Sequence, residues 1–184
     1  MRFSTITIAV LLLTPTSLLF AASARKPEIV NIRGQVHGKE ARVSFVLRNA
    51  FTPEMVEALK SGIEISFKTE VRVERVYRNW FDQTVGATRF SRSVRYDVLS
   101  RVYHLNRGRG DEILPDIFAA LAGMTRYEVV VPLLVEVERG KGYRAYVRSH
   151  LDRVGLSEPL RSILFFSSLW DVKTGWERGN LEAP

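Results

Sequence analysis

The feature that most constrains this fold is a two-residue alternation of apolar and polar side chains between residues 63 and 74. The apolar residues occupy odd-numbered positions: Ile63, Ile65, Phe67, Val71 and Val73. The polar residues occupy the even-numbered positions: Glu64, Ser66, Lys68, Glu70, Arg72 and Glu74. Because successive side chains of a strand point to opposite faces of its sheet, this segment predicts a strand with one buried and one solvated face. Such strands are typical of antiparallel sheets.

Other segments show similar strand character and are separated by Gly, Asn or Pro. We predict strands at residues 41–48, 94–105, 127–138 and 143–151. A phase change at Glu74-Arg75 predicts a bulge. Pro132 requires an edge position or a bulge, because proline lacks the backbone N–H. Arg139-Gly140-Lys141-Gly142 is predicted as a hairpin loop that leads into the 143–151 strand.

Two helices interrupt the predicted strands. Thr52-Pro53 offers an N-cap and a first-turn proline, and Gly62 ends that helix. The second is predicted to begin near Asp111 and to stop at Gly123. Its apolar side would consist of Ile113, Leu114, Ile117, Phe118 and Leu121. We therefore predict a mainly β fold, α+β at the margin: an antiparallel β-sandwich with two covering helices, for which Greek-key or immunoglobulin-like connectivity stays open.

The first 24 residues have the order of a secretory signal peptide. Arg2 is the only charged residue before Arg25, residues 6–20 are mostly apolar, and Ala22-Ser23-Ala24 offers a cleavage site. The apolar run falls short of the roughly 20 residues that a spanning helix needs. We expect cleavage after Ala24 and a single domain over residues 25–184, located in the periplasm or cell envelope. An uncleaved segment kept as a membrane anchor is the alternative.

Composition excludes several kinds of chemistry. The 184-residue chain has no cysteine, which excludes disulfides, thiol nucleophiles, thiolate metal sites and a lipoprotein anchor. Removal of the signal takes the formal net charge from +7 to +6. For an exported protein, this charge favours lipid headgroups, anionic glycolipids or wall polymers as partners over nucleic acid. A basic charge spread along the chain also serves solubility.

The sequence contains no catalytic or metal-binding motif. His37, His104 and His150 lie far apart in separate segments, and there is no G-x-S-x-G elbow or phosphate loop. We therefore expect no metal, no cofactor and no catalytic residue.

Two regions are candidates for binding. In the first, arginines alternate with aromatic residues between 89 and 109. We select Arg92, Arg95 and Arg101 as a strip for phosphates or acidic sugars; charges that protect an edge strand are the alternative. In the second, Trp80 and Asp82 lie in a loop with Phe81. An enzyme would place Asp82 in a pocket beside a second carboxylate or a histidine. The structural alternative packs the aromatic residues against one end of the sandwich, with Asp82 capping a turn.

Several short patterns, taken in order, resemble a known bacterial family. They are a segment from Phe51-Thr52 to Gly62, Trp80-Phe81-Asp82, Arg95-Tyr96-Asp97-x-Leu99, Pro159-Leu160 and Ser168-Leu169-Trp170-x-Val172-x-Thr174-x-Trp176. Together they resemble the domain of unknown function family 4390 over residues 29–176. The resemblance implies an exported envelope protein without an assigned activity. Because some members are encoded near membrane sensor kinases, it also implies a sensing or accessory role.

Three functional classes follow from these observations. A non-catalytic binding or accessory module of the envelope fits best, with an envelope protein or an anionic envelope component as its partner. An enzyme acting on cell-wall or surface polysaccharide and a structural interaction domain are the alternatives. The last of these predicts an exposed apolar patch around Leu164-Phe165-Phe166.

Overall fold

The computed structural model describes residues 26–152 and 172–184, which form two antiparallel sheets packed around one core. In chain order the elements are β1 Glu28–His37, β2 Glu40–Arg48, α1 Pro53–Lys60, β3 Ile65–Val76, β4 Gln83–Asp97, β5 Val102–Asn106, β6 Asp111–Leu114, α2 Ile117–Thr125, β7 Arg126–Pro132, β8 Gly142–Leu151 and β9 Glu177–Leu181. The predicted mainly β, antiparallel fold with two helices is confirmed. Within the described ranges, neither helix is long and apolar enough to cross a membrane.

The strand order is that of a long meander with a small second sheet. The larger sheet has the order β6-β5-β4-β3-β8-β9, and the smaller has the order β1-β2-β7. An immunoglobulin sandwich distributes its strands differently, as ABED and CFG. Immunoglobulin-like connectivity is therefore not the one found.

The two sheets join at the edge where β1 meets β9. Val36 N–H donates to the Glu182 carbonyl at 2.8 Å, and Glu182 N–H donates to the Gly34 carbonyl at 2.9 Å. An irregularity in β1 between Val30 and Arg33 brings Ile32 over Gly179, where a Cβ would lie 2.4 Å from the Ile32 carbonyl oxygen. Only glycine allows this close approach.

The two sheets also meet near β7 and β4. One contact there is a backbone hydrogen bond after the end of β7, and the other is made through α2. Leu134 N–H donates to the Val85 carbonyl at 2.8 Å, so the chain after β7 crosses to the start of β4. Beyond this contact α2 packs against β4 and β5 of the larger sheet and β7 of the smaller sheet.

Strand β3 has the predicted alternation. Ile65, Phe67, Thr69, Val71 and Val73 are buried, and the residues that alternate with them are partly exposed. The predicted bulge is confirmed, because the β3–β4 register shifts between Val73 and Glu74. Helix α1 is also confirmed, with the Thr52 hydroxyl accepting the Met55 N–H at 3.2 Å.

The prediction of a single strand over residues 94–105 was wrong. β4 ends at Asp97, a turn follows, and β5 begins at Val102 and returns antiparallel. The Asp97 carboxylate accepts the N–H groups of Leu99 and Ser100, and Arg101 closes the turn with a φ of 57°. No Gly or Pro marks this turn, so the hydrophobic pattern continues through it.

Two other predicted boundaries were also wrong. The strand predicted at 127–138 ends at Pro132, and β7 pairs with β2 instead of forming a hairpin with β8. The second helix begins at Ile117 after the N-cap Asp116, while 111–114 is strand β6. Pro115 explains this, because the residue before a proline is disfavoured in helix. Phe118, predicted on the apolar side of the helix, is exposed. The predicted patch around Leu164-Phe165-Phe166 lies outside the described residues.

Candidate functional site

The structure does not bring the three predicted arginines together. Arg92 and Arg95 both lie on β4, three positions apart, so their side chains point to opposite faces of the sheet. Arg92 is paired with the buried Phe67, whereas Arg95 is exposed and paired with His104 of β5. Arg101 lies in the β4–β5 turn at one end of the sandwich.

Arg92 is an internal clamp for α2. Arg92 is only 7% exposed. Its Nη1 donates hydrogen bonds to the Gly123 and Arg126 carbonyl oxygens at 2.5 and 2.7 Å. Its guanidinium also lies 4.0 Å from the ring centre of Tyr127. Carbonyls at a helix C-terminus carry partial negative charge, which favours a cation there. Burial lowers the pKa of Arg92.

A cleft of about 700 Å³ lies between α2, β6 and β7, and Arg92 contributes to its lining. Its other charged residues are of both signs: Arg107, Glu112, Arg126 and Glu128. Arg107 and Glu112 form an ion pair at 3.0 Å. Mixed charge gives this cleft no strong preference for anions.

The outer face of the larger sheet also has its charges paired among themselves. Glu70 lies between Arg148 at 2.7 Å and Arg89 at 3.4 Å, and the hydrogen bond from Arg148 lowers the pKa of its carboxyl. Arg72 and Arg148 lie 4.3 and 4.6 Å from the ring centre of Trp176. These contacts stabilise the sheet surface and leave little charge free for a ligand.

The loop between β3 and β4 presents two aromatic side chains to solvent. Trp80 is 79% exposed and Phe81 is 85% exposed, with their rings 6.3 Å apart and nearly perpendicular. The structural alternative in which these rings pack against the end of the sandwich was therefore wrong. Nearly complete exposure of two adjacent large aromatic residues is unusual for a soluble surface.

Asp82 fixes the base of this loop. One carboxylate oxygen accepts the Tyr77 N–H at 3.2 Å, and the other accepts from Arg144 of β8 at 3.3 Å. The Tyr77 hydroxyl donates to Gln83 at 3.2 Å, closing the loop a second time. The predicted turn-capping role of Asp82 is thus the one seen.

Two neighbouring segments lie at the same end of the sandwich. Strand pairing places Val76 beside Gly142, next to the 138–142 turn, and Arg75 forms an ion pair with Glu138. Val137 N–H donates to the Gly38 carbonyl at 2.8 Å, which attaches the β1–β2 turn. We call this end the aromatic tip and define it by its exposed large apolar residues and its exposed cations: Lys39, Arg78, Trp80, Phe81, Leu134, Val135, Arg139 and Lys141.

The aromatic tip has a positive charge that the neighbouring carboxylates do not balance. Among the described residues, none of its four cations forms an ion pair within 4.0 Å. Glu138 and Asp82 are already paired with Arg75 and Arg144. Two further exposed carboxylates lie on the same segments, Glu40 and Glu136, which leaves an excess of two positive charges.

Sequence reasoning selected Trp80 and Asp82 but missed their neighbours. Lys39, Leu134 and Lys141 belong to segments that are distant in sequence from Trp80. They come to the same end of the sandwich only through the pairing of β3 with β8 and the attachment of residues 133–137. Pro132 was the available signal, because it marks the end of β7, shortly before the exposed Leu134 and Val135. In the part of the chain that the structure describes, no group of His, Asp and Glu residues could hold a metal ion.

Comparison with known proteins places this chain in a family. No curated protein and no solved structure matches this chain significantly. The model of a domain of unknown function matches residues 24–180, most of the chain, and so confirms the resemblance carried by the short sequence patterns. The chain therefore belongs to the DUF4390 family.

Proposed function

We propose that this protein is an exported, non-catalytic binding module of the cell envelope and that the aromatic tip is its binding surface. The signal-like order of residues 1–24 supports export. The observation that carries the binding role is the exposure of Trp80 and Phe81 on a loop whose base is fixed by Asp82.

Exposure and rigidity together favour binding. A large aromatic side chain can bury roughly 150–250 Å², and burial of apolar surface contributes about 25 cal/mol per Å². Two such rings therefore offer several kcal/mol to a partner. Because the hydrogen bonds of Asp82 already hold the ends of the loop, little conformational entropy is lost on binding.

The contacts of Asp82 support a positioning role over a catalytic one. A glycosidase needs a pair of carboxyl groups on either side of the scissile bond. The groups that contact Asp82 are instead a backbone N–H and the Arg144 guanidinium, and both of its oxygens are used. An enzyme that cleaves cell-wall or surface polysaccharide is the alternative function. Cleavage of such a polysaccharide by wild type that is lost in Asp82→Asn would favour it.

Binding to isolated envelope membranes tests the proposal. The full chain is expressed in cells, the form that accumulates is purified, and its binding to washed envelope fractions is measured by sedimentation. The double variant Trp80→Ala/Phe81→Ala is expected to bind at least roughly tenfold more weakly, since it removes most of the apolar contact area.

Leu99→Ala is the matched control. Leu99 is 95% exposed in the β4–β5 turn, at the opposite end of the sandwich, so its loss removes a similarly exposed apolar side chain without touching the tip. Binding equal to wild type is expected. If the double variant binds as well as wild type, the aromatic tip is not the binding surface.

A further inference from the structure

We infer that the aromatic tip docks onto the surface of an anionic phospholipid bilayer. This inference rests on the proposed function and names the partner. It is carried by two features that occur together at the tip: protruding apolar side chains and cations without a carboxylate partner.

The apolar residues suit insertion between headgroups. Trp80 and Phe81 protrude into solvent, and Leu134 and Val135 lie exposed on the adjoining segment. Two protruding rings bury their surface only in a partner that has a groove or that deforms around them, and the headgroup region of a bilayer deforms in this way. Tryptophan is favoured at the membrane–water interface, and Trp, Phe and Leu form the buried face of interfacial anchors.

The charges supply the second signal that stable anchoring requires. Lys39, Arg78, Arg139 and Lys141 come from three different segments and converge on the same end of the sandwich. Each cation near an anionic leaflet contributes about 1 kcal/mol of attraction. Glu40 and Glu136 oppose part of this attraction. A weak apolar insertion combined with a basic patch gives stable binding that neither feature gives alone.

A protein partner fits these features less well. The cores of protein interfaces are depleted of lysine, and exposed rim charges add little affinity. Lys39 and Lys141 are exposed, and among the described residues neither has a carboxylate within 4.0 Å. Long flexible lysine side chains suit the diffuse field of a charged bilayer, where no fixed geometry is needed.

Vesicle binding tests the inference. Sedimentation is measured with vesicles of phosphatidylcholine alone and with vesicles of phosphatidylcholine and phosphatidylglycerol in equal parts. Wild type is expected to bind the anionic vesicles at least roughly tenfold more tightly than the neutral ones. High salt is expected to abolish most of this difference, because it screens charges at the surface.

Variants assign the binding to the tip. Trp80→Ala/Phe81→Ala should lose at least roughly tenfold in affinity for anionic vesicles, and each of Lys39→Gln and Lys141→Gln roughly fivefold. Leu99→Ala and Lys60→Gln are two control variants at exposed residues outside the tip, and each should leave binding unchanged. A retained N-terminal anchor would contribute equally to all variants and to neutral vesicles, so these differences isolate the tip.

Measuring how deeply Trp80 enters the bilayer tests insertion separately from charge attraction, which alone would not place the ring among the lipids. Lipids brominated near the headgroup should quench the fluorescence of Trp80 on binding, and Trp80→Phe should keep the binding while losing that part of the quenching. Equal binding of wild type to neutral and anionic vesicles, or binding without quenching of Trp80, would overturn the inference.

The two proposals fail in different ways. If the envelope fraction is bound through Trp80 and Phe81 but pure anionic vesicles are not, the tip is a binding surface and its partner is a protein or a wall polymer. In that case the lipid inference is wrong and the proposed function stands. If neither is bound through the tip, both are wrong.

Discussion

Arg92 and the aromatic tip are two regions that the sequence marks in the same way, as conspicuous side chains in a strand or loop. In the fold they are opposites. Arg92, a charged residue, is buried and donates to two carbonyl oxygens next to α2, whereas Trp80 and Phe81, two large apolar residues, are almost fully exposed. Each departs from the usual distribution of residue types, in which charges are outside and large apolar side chains inside.

The two departures have different physical meanings. Burying a guanidinium costs solvation free energy, and the two hydrogen bonds of Nη1 and the contact with the Tyr127 ring offset part of this cost, so Arg92 is explained within the chain. Exposing two aromatic rings gains little packing within the described part of the chain, and the proposed binding surface would account for their exposure. The comparison predicts that changes at Arg92 alter stability, whereas changes at the tip alter binding.

The largest effect is expected from Arg92→Ala. This change removes the donor to the Gly123 and Arg126 carbonyls and the contact with the Tyr127 ring. The free energy of unfolding should fall by about 2–4 kcal/mol, measured by urea denaturation. Arg95→Ala, on the exposed face of the same strand, should change it by less than about 0.5 kcal/mol. Equal effects of the two variants would show that Arg92 is no clamp.

A pH effect is expected from Tyr127, which lies beneath Arg92. Burial raises the pKa of Tyr127, whereas the unfolded chain loses this proton near pH 10, as a free tyrosine does. Above that pH the folded state binds more protons than the unfolded state, so the free energy of unfolding should fall by up to about 1.4 kcal/mol per pH unit. Tyr127→Phe should reduce this alkaline slope without abolishing it, because burial also raises the pKa of Tyr103. A variant that keeps the full wild-type slope would contradict the assignment to Tyr127.

A smaller effect is expected at the base of the tip. Asp82→Ala removes the acceptor for the Tyr77 N–H and the partner of Arg144, both partly solvated. The free energy of unfolding should fall by about 1 kcal/mol, and envelope binding should weaken because the loop loses its fixed ends. Asp82→Asn keeps an acceptor for the N–H and should retain most of both properties. Unchanged binding by Asp82→Ala would mean that the loop needs no fixed base.

The smallest effect on stability is expected at the tip itself. Trp80→Ala/Phe81→Ala removes side chains that pack mainly against each other, so the free energy of unfolding should stay within about 0.5 kcal/mol of wild type. The same denaturation measurement checks this, and it also serves as the folding control for the binding experiments. A large loss of stability would place the two rings among the packing residues and remove the contrast with Arg92.

Local patterns predicted the elements whose signals lie within a few residues. The alternation in β3, the Thr52 cap of α1 and the bulge after Val73 all depend on neighbours in sequence, and all three are confirmed. Strand β1 was not predicted, because its alternation is interrupted where Asn31 adopts a φ of 56°. The start of β4 and strand β9 were not predicted either, since their central residues are small or polar and gain strand structure from the neighbours they pair with.

Sequence by itself therefore determined the antiparallel, mainly β class, the Thr52 cap of α1, the family and the two conspicuous groups of side chains. Only the tertiary structure decided which group is buried. That choice depends on the register of β4 against β3, which turns Arg92 inward, and on the contacts that bring Lys39, Leu134 and Lys141 to the end of the sandwich beside Trp80. Both depend on pairing between residues far apart in the chain, because strand register and sheet order are set by long-range contacts that no local pattern encodes.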